Sequence, residues 1–356
     1  MVVGDAVAVG LLRGMVEIPS PSYDEVHLAA DLVRRMRELG LRAHVDEAGN
    51  AIGTVTRGDG PTIMLLGHLD TIPGQLPVRS MDGRLYGRGA VDAKGPLAAM
   101  VCAAAGADAF RGRIVVVGAV EEETPRSRGA VAVRTGHDRP DALIVGEPSG
   151  WSTVVLGYKG KLDLRLRVRC PATHPSNPCP KASELAAAVW QDAVALLGPD
   201  ASHAAFNRAA ATLVSVHGDT TEAELDLTVR TPPGFDAGGY LGALRSRLPR
   251  SGQGEAELQV LNFVAACRTD RRDPAVRALS AGIRSQQGLP RMKVKTATSD
   301  MNTLAEAWAI PMATYGPGDS ALDHSDDEHI VLADYFHGIS VLTAALTELN
   351  DLTTTA

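Results

Sequence analysis

The chain has 356 residues, 45% of them hydrophobic and 22% charged, with a formal net charge of −7. That length allows two domains and a large buried core. The acidic balance argues against a nucleic-acid binder driven by overall basicity, and no apolar run approaches the roughly 18 residues of a membrane span.

Met1 to Val16 lacks a basic n-region and an uninterrupted apolar core, so it reads as an amphipathic helix and not as a leader. Asp24 to Leu39 carries apolar residues at helical spacing and ends at Gly40, which predicts a second helix. Ile63–Leu66, Ile114–Val117 and Ala142–Val145 are short apolar runs typical of strands buried on both faces. An Ala-rich helix, Pro96–Ala109, separates the first two. This alternation predicts an α/β fold, a mostly parallel sheet with flanking helices.

The character changes near Gly157. From Lys161 to Arg169 the chain alternates strictly: Leu162, Leu164, Leu166 and Val168 on one face, and Lys161, Asp163, Arg165, Arg167 and Arg169 on the other. That is a half-exposed antiparallel strand. A helix (182–196), two strands (210–217 and 224–230), a helix (235–248) and a strand (257–264) follow. The order β-α-β-β-α-β fits a ferredoxin-like α+β insert. The expected layout is a discontinuous catalytic domain, 1–156 plus 268–356, and an inserted lid and dimerisation domain, 157–267. None of the four cysteines forms a Cys-x-x-Cys pair, so reduced thiols and a cytoplasmic setting are expected. Cys170, His174 and Cys179 lie close in sequence, but no fourth ligand accompanies them, so no closed structural zinc site is expected.

Five candidate metal ligands fall at predicted strand ends or in the loops after them. His68 ends one strand, with Asp70 two residues on and able to hold the second imidazole nitrogen. Asp92 lies in Gly87-Arg-Gly-Ala-Val-Asp92-Ala-Lys-Gly95. Glu121-Glu122-Glu123 and Glu147 follow two further strands, and His324 lies near the C-terminal end. Each alone has an ordinary explanation: a helix cap for Asp92, solvated charge for the triple Glu. Together, at the carboxyl ends of strands in an α/β sheet, they form a coherent site. Two His and several carboxylates suit Zn²⁺ or a similar metal.

These segments, with Gly146-Glu147-Pro148-Ser149 and Ala321-Leu-Asp-His324-Ser-Asp-Asp-Glu328, resemble the di-zinc metallohydrolases of the acetylornithine deacetylase, succinyl-diaminopimelate desuccinylase, aminoacylase and carboxypeptidase-G type (peptidase family M20). The resemblance spans essentially the whole chain. It implies that Asp92 bridges two Zn²⁺ (Co²⁺ as a substitute), that His68 and Glu147 complete one metal, and that Glu123 and His324 complete the other. It implies Glu122 as general base and Asp70 as the partner of His68. The family commonly has Asp-Glu-Glu where Glu121 begins this run, which leaves open whether Glu121 or Glu122 is the base. It further implies a homodimer through the insert, in which His174 donates to the tetrahedral oxyanion in the neighbouring subunit, although the family more often has Ser where Pro175 follows this His. Arg230 would grip a substrate carboxylate. Asn207 would be a further donor, and Gly318 would let backbone approach substrate. Thr298, Ser299 and Asp300 would line the pocket, though helix capping explains Ser299 and Asp300 equally well.

Within the family, Val120-Glu-Glu-Glu-Thr124, Gly157-Tyr-Lys-Gly160 and Thr298-Ser-Asp-Met-Asn302 resemble the lysine-biosynthesis branch, which releases lysine or ornithine from a small acidic amino-group carrier protein. The expected substrate is therefore an N-acylated diamino acid, carrier-bound or free. A small-molecule deacylase and a catalytically inert binding relative stand as alternatives. The basic face of Lys161–Arg169 offers a possible dock for an acidic carrier.

Overall fold

The computed structural model describes residues 3–249 and 254–352. The chain divides into two compact units. The first comprises Met1–Gly157, Thr269–Val294 and Ser299–Ala356, and the second Tyr158–Arg268 with Lys295–Thr298.

The first unit is built on a mixed sheet. Its strands run in the order Arg42–Val45, Ala51–Arg57, Gly112–Ala119, Thr62–His68, Ala142–Gly146, Met312–Thr314 and Thr153–Tyr158. The central pairings, of Thr62–His68 with both Gly112–Ala119 and Ala142–Gly146, are parallel. Those are the strands whose aliphatic runs lack alternation, and Ile63 to Leu66, Val116, Val117 and Ala142 to Val145 are buried. Covered faces on both sides are what a parallel sheet requires. The helix Lys94–Gly106 is buried from Lys94 through Ala104, as expected of a helix apolar all round. It packs against the sheet and the helices Asp5–Glu17 and Leu332–Glu348. The helix Pro274–Ser285 starts with Pro at its first turn and with Asp273 accepting from Ala275 N, the expected start signals. Among the described residues no helix is long and apolar enough to cross a membrane.

The second unit is a four-stranded antiparallel sheet in the order Ala210–Gly218, Glu222–Thr231, Gly160–Arg169, Glu255–Val264, with helices Ala182–Ala195 and Ala237–Ser246. Leu162, Leu164, Leu166 and Val168 form its core with Leu225, Leu227, Val229, Val189 and Leu244. The opposite face corrects one expectation. Arg165, Arg167 and Arg169 stand directly across from Asp226, Glu224 and Glu222. Arg165 donates through a two-pronged fork to Asp226, both bonds 2.7 Å. Arg167 donates to Glu224 at 2.7 Å, Arg169 lies 3.4 Å from Glu222, and Lys161 lies 3.0 Å from Asp163. The strand face is thus a neutralised cross-strand ladder of the kind that stabilises sheets, and it offers no surplus positive charge to an acidic partner. The acids facing the three arginines come from the neighbouring strand, so the strand Gly160–Arg169 taken alone looks basic.

Candidate metal centre

Three adjacent parallel strands end at one edge of the first unit's sheet. His68 is level with Ala119, and Gly67 with Gly146. The register therefore brings His68, the Glu121–Glu123 turn and Glu147 together at the strands' carboxyl ends. Asp92 arrives from the loop before helix Lys94–Gly106. Gly95 is required there, since a Cβ would lie 2.4 Å from the Ala90 carbonyl oxygen.

Asp92 sits between the two imidazoles. Its Oδ1 is 3.2 Å from His68 Nε2, and its Oδ2 is 3.1 Å from His324 Nε2. His324 Nε2 also lies 2.7 Å from Glu123 Oε1, and His68 Nε2 lies 4.0 Å from Glu147 Oε1. Ligand atoms of His68, Asp92 and Glu123 all lie within 4.8 Å of one another, as do those of His68, Glu122 and Glu147. The structure thus brings all five candidate ligands and Glu122 into one cluster.

Asp70 has a larger task than orienting an imidazole. The nearest acceptor to His68 Nδ1 is the backbone oxygen of Asp70 at 2.9 Å, whereas its carboxylate Oδ1 is at 3.4 Å. The carboxylate instead holds the acidic turn. Oδ1 accepts from Glu122 N at 3.0 Å, and Oδ2 accepts from Glu123 N at 3.0 Å and from Ser22 Oγ at 2.7 Å. Burial alone would raise its pKa, but hydrogen bonding and charge from His68, with the Ser22 and Glu123 donors, hold it below the usual range.

The three glutamates separate by partner. Glu121 turns away at φ 60° and accepts from Arg128 Nε at 2.6 Å, while its N–H donates to Glu25 Oε1 at 3.1 Å. Glu123 meets His324. Glu122, partly exposed by area but ringed by protein, is pushed well above the ordinary carboxylate value by burial and by Glu147, with His68 opposing. For His68 burial lowers the pKa, but hydrogen bonding to Asp70 and Asp92 outweighs it and holds it above the ordinary imidazole value. Asp92 and Glu123 push His324 up to about 10.

Asp300 is a further buried carboxylate beside this cluster, at 1% exposure. Neither of its oxygens has a partner in hydrogen-bonding geometry. Burial pushes it up to about 7, with the charge of His68 opposing and that of Asp70 adding. Ser299 caps the short helix Asp300–Ala305: its side chain accepts from Met301 N and its N–H donates to Asn302. Gly318 has φ +112°, a Cβ there would lie 3.1 Å from Val91 Cγ1, and its carbonyl accepts from Gly150 N at 2.9 Å. In the second unit, His174 is exposed in a loop with Nδ1 2.7 Å from Ser176 Oγ. Asn207 is exposed, and half-buried Arg230 donates to Thr298 Oγ1 at 3.1 Å. Sequence reasoning missed Arg88 and the carboxylate of Glu328, whose importance appears only from their hydrogen bonds. A surface cavity of about 680 Å³ lined by Arg271, Arg277 and Arg284 contains none of these residues, so chemistry and not cavity size locates the site.

The donor set fits divalent cations. Asp92, Glu122, Glu123 and Glu147 converge on two imidazoles, with Asp300 behind them, and such a concentration of carboxylates calls for compensating positive charge. His nitrogen and carboxylate oxygen are the ligands of catalytic zinc sites.

The sequence profile of peptidase family M20/M25/M40 matches residues 64–348. The chain belongs to this family. Among M20 relatives of similar sequence, a [LysW]-lysine hydrolase of Deinococcus radiodurans is 41% identical over 353 residues, covering 95% of this chain and 96% of that protein. A putative [LysW]-lysine/[LysW]-ornithine hydrolase of Thermococcus kodakarensis is 38% identical, covering 96% and 92%. The fold is shared with a Staphylococcus aureus tripeptidase (TM-score 0.84, 18% identity, 98% of this chain and 100% of that one). It is also shared with a dinuclear metal-binding M20 peptidase of Bacillus subtilis (TM-score 0.73, 13% identity, 98% of each). This M20 chain is accordingly an enzyme, a hydrolase of amide bonds, with a metal-binding centre of the family's kind.

Proposed function

We propose that this enzyme releases lysine or ornithine from an amino-group carrier protein of the LysW kind by metal-dependent amide hydrolysis. The observation that carries the chemistry is the division of the acidic turn, with Glu121 paired to Arg128, Glu123 to His324, and Glu122 left beside His68 and Glu147. The names of its relatives support the substrate.

In this reading His68 and Glu147 would hold one Zn²⁺ and Glu123 and His324 a second, with Asp92 serving both. When bound, such ions would supply Lewis acidity to the amide carbonyl and acidify water. Glu122 takes the proton of the attacking water and delivers it to the departing amine. Asp70 holds Glu122 and Glu123 in place through their N–H groups. Arg230 receives the substrate carboxylate, Asn207 adds a donor, and Gly318 lets the backbone come close to the substrate. We place the enzyme in the cytoplasm, which agrees with four unbridged cysteines. We further propose a homodimer through the second unit, with the partner subunit's His174 stabilising the oxyanion. The end strand Ala210–Gly218, which exposes Val214 and Val216 at 62% and 59%, supports this interface.

Assay of a carrier conjugate beside acetylornithine, acetyllysine and succinyl-diaminopimelate tests the proposal. The conjugate is expected to be cleaved with the highest kcat/KM, chelation to abolish turnover, and Zn²⁺ or Co²⁺ to restore it. Preference for a free acylated amino acid would replace the carrier reading with small-molecule deacylation. Undiminished turnover in chelator would remove the metal mechanism.

A further inference from the structure

Glu328 is 1% exposed and lies four residues after His324, yet both oxygens of its carboxylate are engaged with the distant segment that carries Asp92. Oε1 accepts from Val91 N at 3.0 Å and from Asp92 N at 3.1 Å. Oε2 accepts from Arg88 Nη1 at 2.8 Å. Arg88 in turn reaches the segment that carries His324: the same Nη1 donates to the Ser325 carbonyl at 3.1 Å, while Nε donates to Gly74 O at 3.1 Å. The backbone continues the lacing. Gly87 N donates to Glu328 O at 3.1 Å, and strand His329–Val331 pairs with Arg84–Tyr86.

We propose that Arg88 and Glu328 are a positioning couple that fixes Asp92 and His324 relative to each other and thereby sets the centre's affinity for divalent cations. The inference rests on the reading of Asp92 and His324 as ligands. Its physical basis is geometric. Asp92 must offer one oxygen toward each imidazole, at 3.2 and 3.1 Å, so its carboxylate tolerates little displacement. With its N–H and that of Val91 both anchored, only its two side-chain torsions remain to be set. Arg88 supplies the matching constraint on the other arm, one residue beyond His324, whose own backbone sits in the left-handed region at φ 62°. A charged acceptor makes these bonds stronger than neutral ones, and a buried pair is not loosened by salt as a surface pair is. Neither side chain touches the reacting atoms. The couple would act only through the two ligands it holds.

The test uses the metal-stripped full-length protein and Co²⁺ as probe, with calorimetry and the visible absorption of bound Co²⁺ as readouts beside kinetics. Glu328→Ala is expected to weaken Co²⁺ binding by about 10–100-fold, the usual effect of removing a group that orients a ligand. Glu328→Gln keeps an acceptor for the two N–H groups and is expected to recover much of that loss. Arg88→Gln should weaken binding by about 10-fold, on the same basis. At saturating Co²⁺ the variants should regain kcat while the KM for substrate stays unchanged, a pattern that a fold defect would not give. Binding within about 3-fold of the parent in Glu328→Gln and Arg88→Gln, with Glu328→Ala either equally unaffected or unfolded, overturns the couple; that margin lies well below the usual effect. Asp92→Asn and His324→Ala are the control arm. If they bind Co²⁺ as the parent does, the ligand reading falls and the couple falls with it.

Discussion

Asp70 is the point at which a single substitution should report most directly on the site. Its two carboxylate oxygens accept the N–H groups of Glu122 and Glu123, besides the Ser22 hydroxyl, so Asp70→Ala deprives two part-buried backbone donors of their acceptor at once. Hydrogen bonds to a charged acceptor contribute about 1.5–3 kcal/mol each, which puts the loss at about 3 kcal/mol or more. Asp70→Asn retains one acceptor oxygen and should lose about half as much on the same scale. For a domain of this size each kcal/mol moves the unfolding midpoint by about 2–4 °C, so Asp70→Ala is expected roughly 6–12 °C below the parent at pH 7. The assay is a thermal scan of the metal-stripped protein across pH. The pKa of Asp70 is lowered in the folded state. Its contribution is therefore fully present above its unfolded value, near 4, and is lost as pH falls through the depressed folded value. The gap between parent and Asp70→Asn should hold from neutral pH down to about 5 and narrow below about 4. An Asp70→Ala midpoint within about 2 °C of the parent at pH 7, the shift expected from under 1 kcal/mol, would refute the reasoning that this carboxylate suspends the acidic turn.

The turn itself yields a second test. Glu122→Gln should keep its metal yet lose turnover by about 10²–10⁴-fold, whereas Glu121→Gln should keep turnover and lose only the contact to Arg128; the reverse pattern, read from metal content and kcat, would exchange their roles. For the ladder in the second unit, Arg167→Glu sets like charges opposite each other at Glu224, so thermal stability should fall while cleavage of a carrier conjugate and of a small acylated substrate fall together or not at all. A loss confined to the conjugate would restore the strand face as a docking surface.

The parallel core and the insert were legible because their burial is written into local patterning: unbroken aliphatic runs at 63–66, 114–117 and 142–145, and strict alternation at 161–169. Half of the cluster was legible because His68, the glutamate turn and Glu147 each follow such a run, so strand order alone brings them to one edge, while Asp92 and His324 arrive on loops. What stayed hidden depends on pairing between distant segments. Nothing local to Arg165 announces Asp226 opposite it. Asp70 looks like a histidine's partner until the turn from residue 121 is seen to hang from its oxygens. Glu328 looks like the last of an acidic run, with no local sign that its carboxylate serves backbone 236 residues away.

The chain passes between the two units four times, not twice, because the short stretch Lys295–Thr298 belongs with Tyr158–Arg268. That stretch accepts Lys159 N through the Lys295 carbonyl and the Arg230 guanidinium through Thr298. The second unit is consequently not portable as one continuous piece. A fragment cut at 158 and 268 would carry an unmet amide and a half-buried arginine without its hydroxyl. Grafting the unit onto another member of the family would require moving a four-residue strip from elsewhere in the chain along with it.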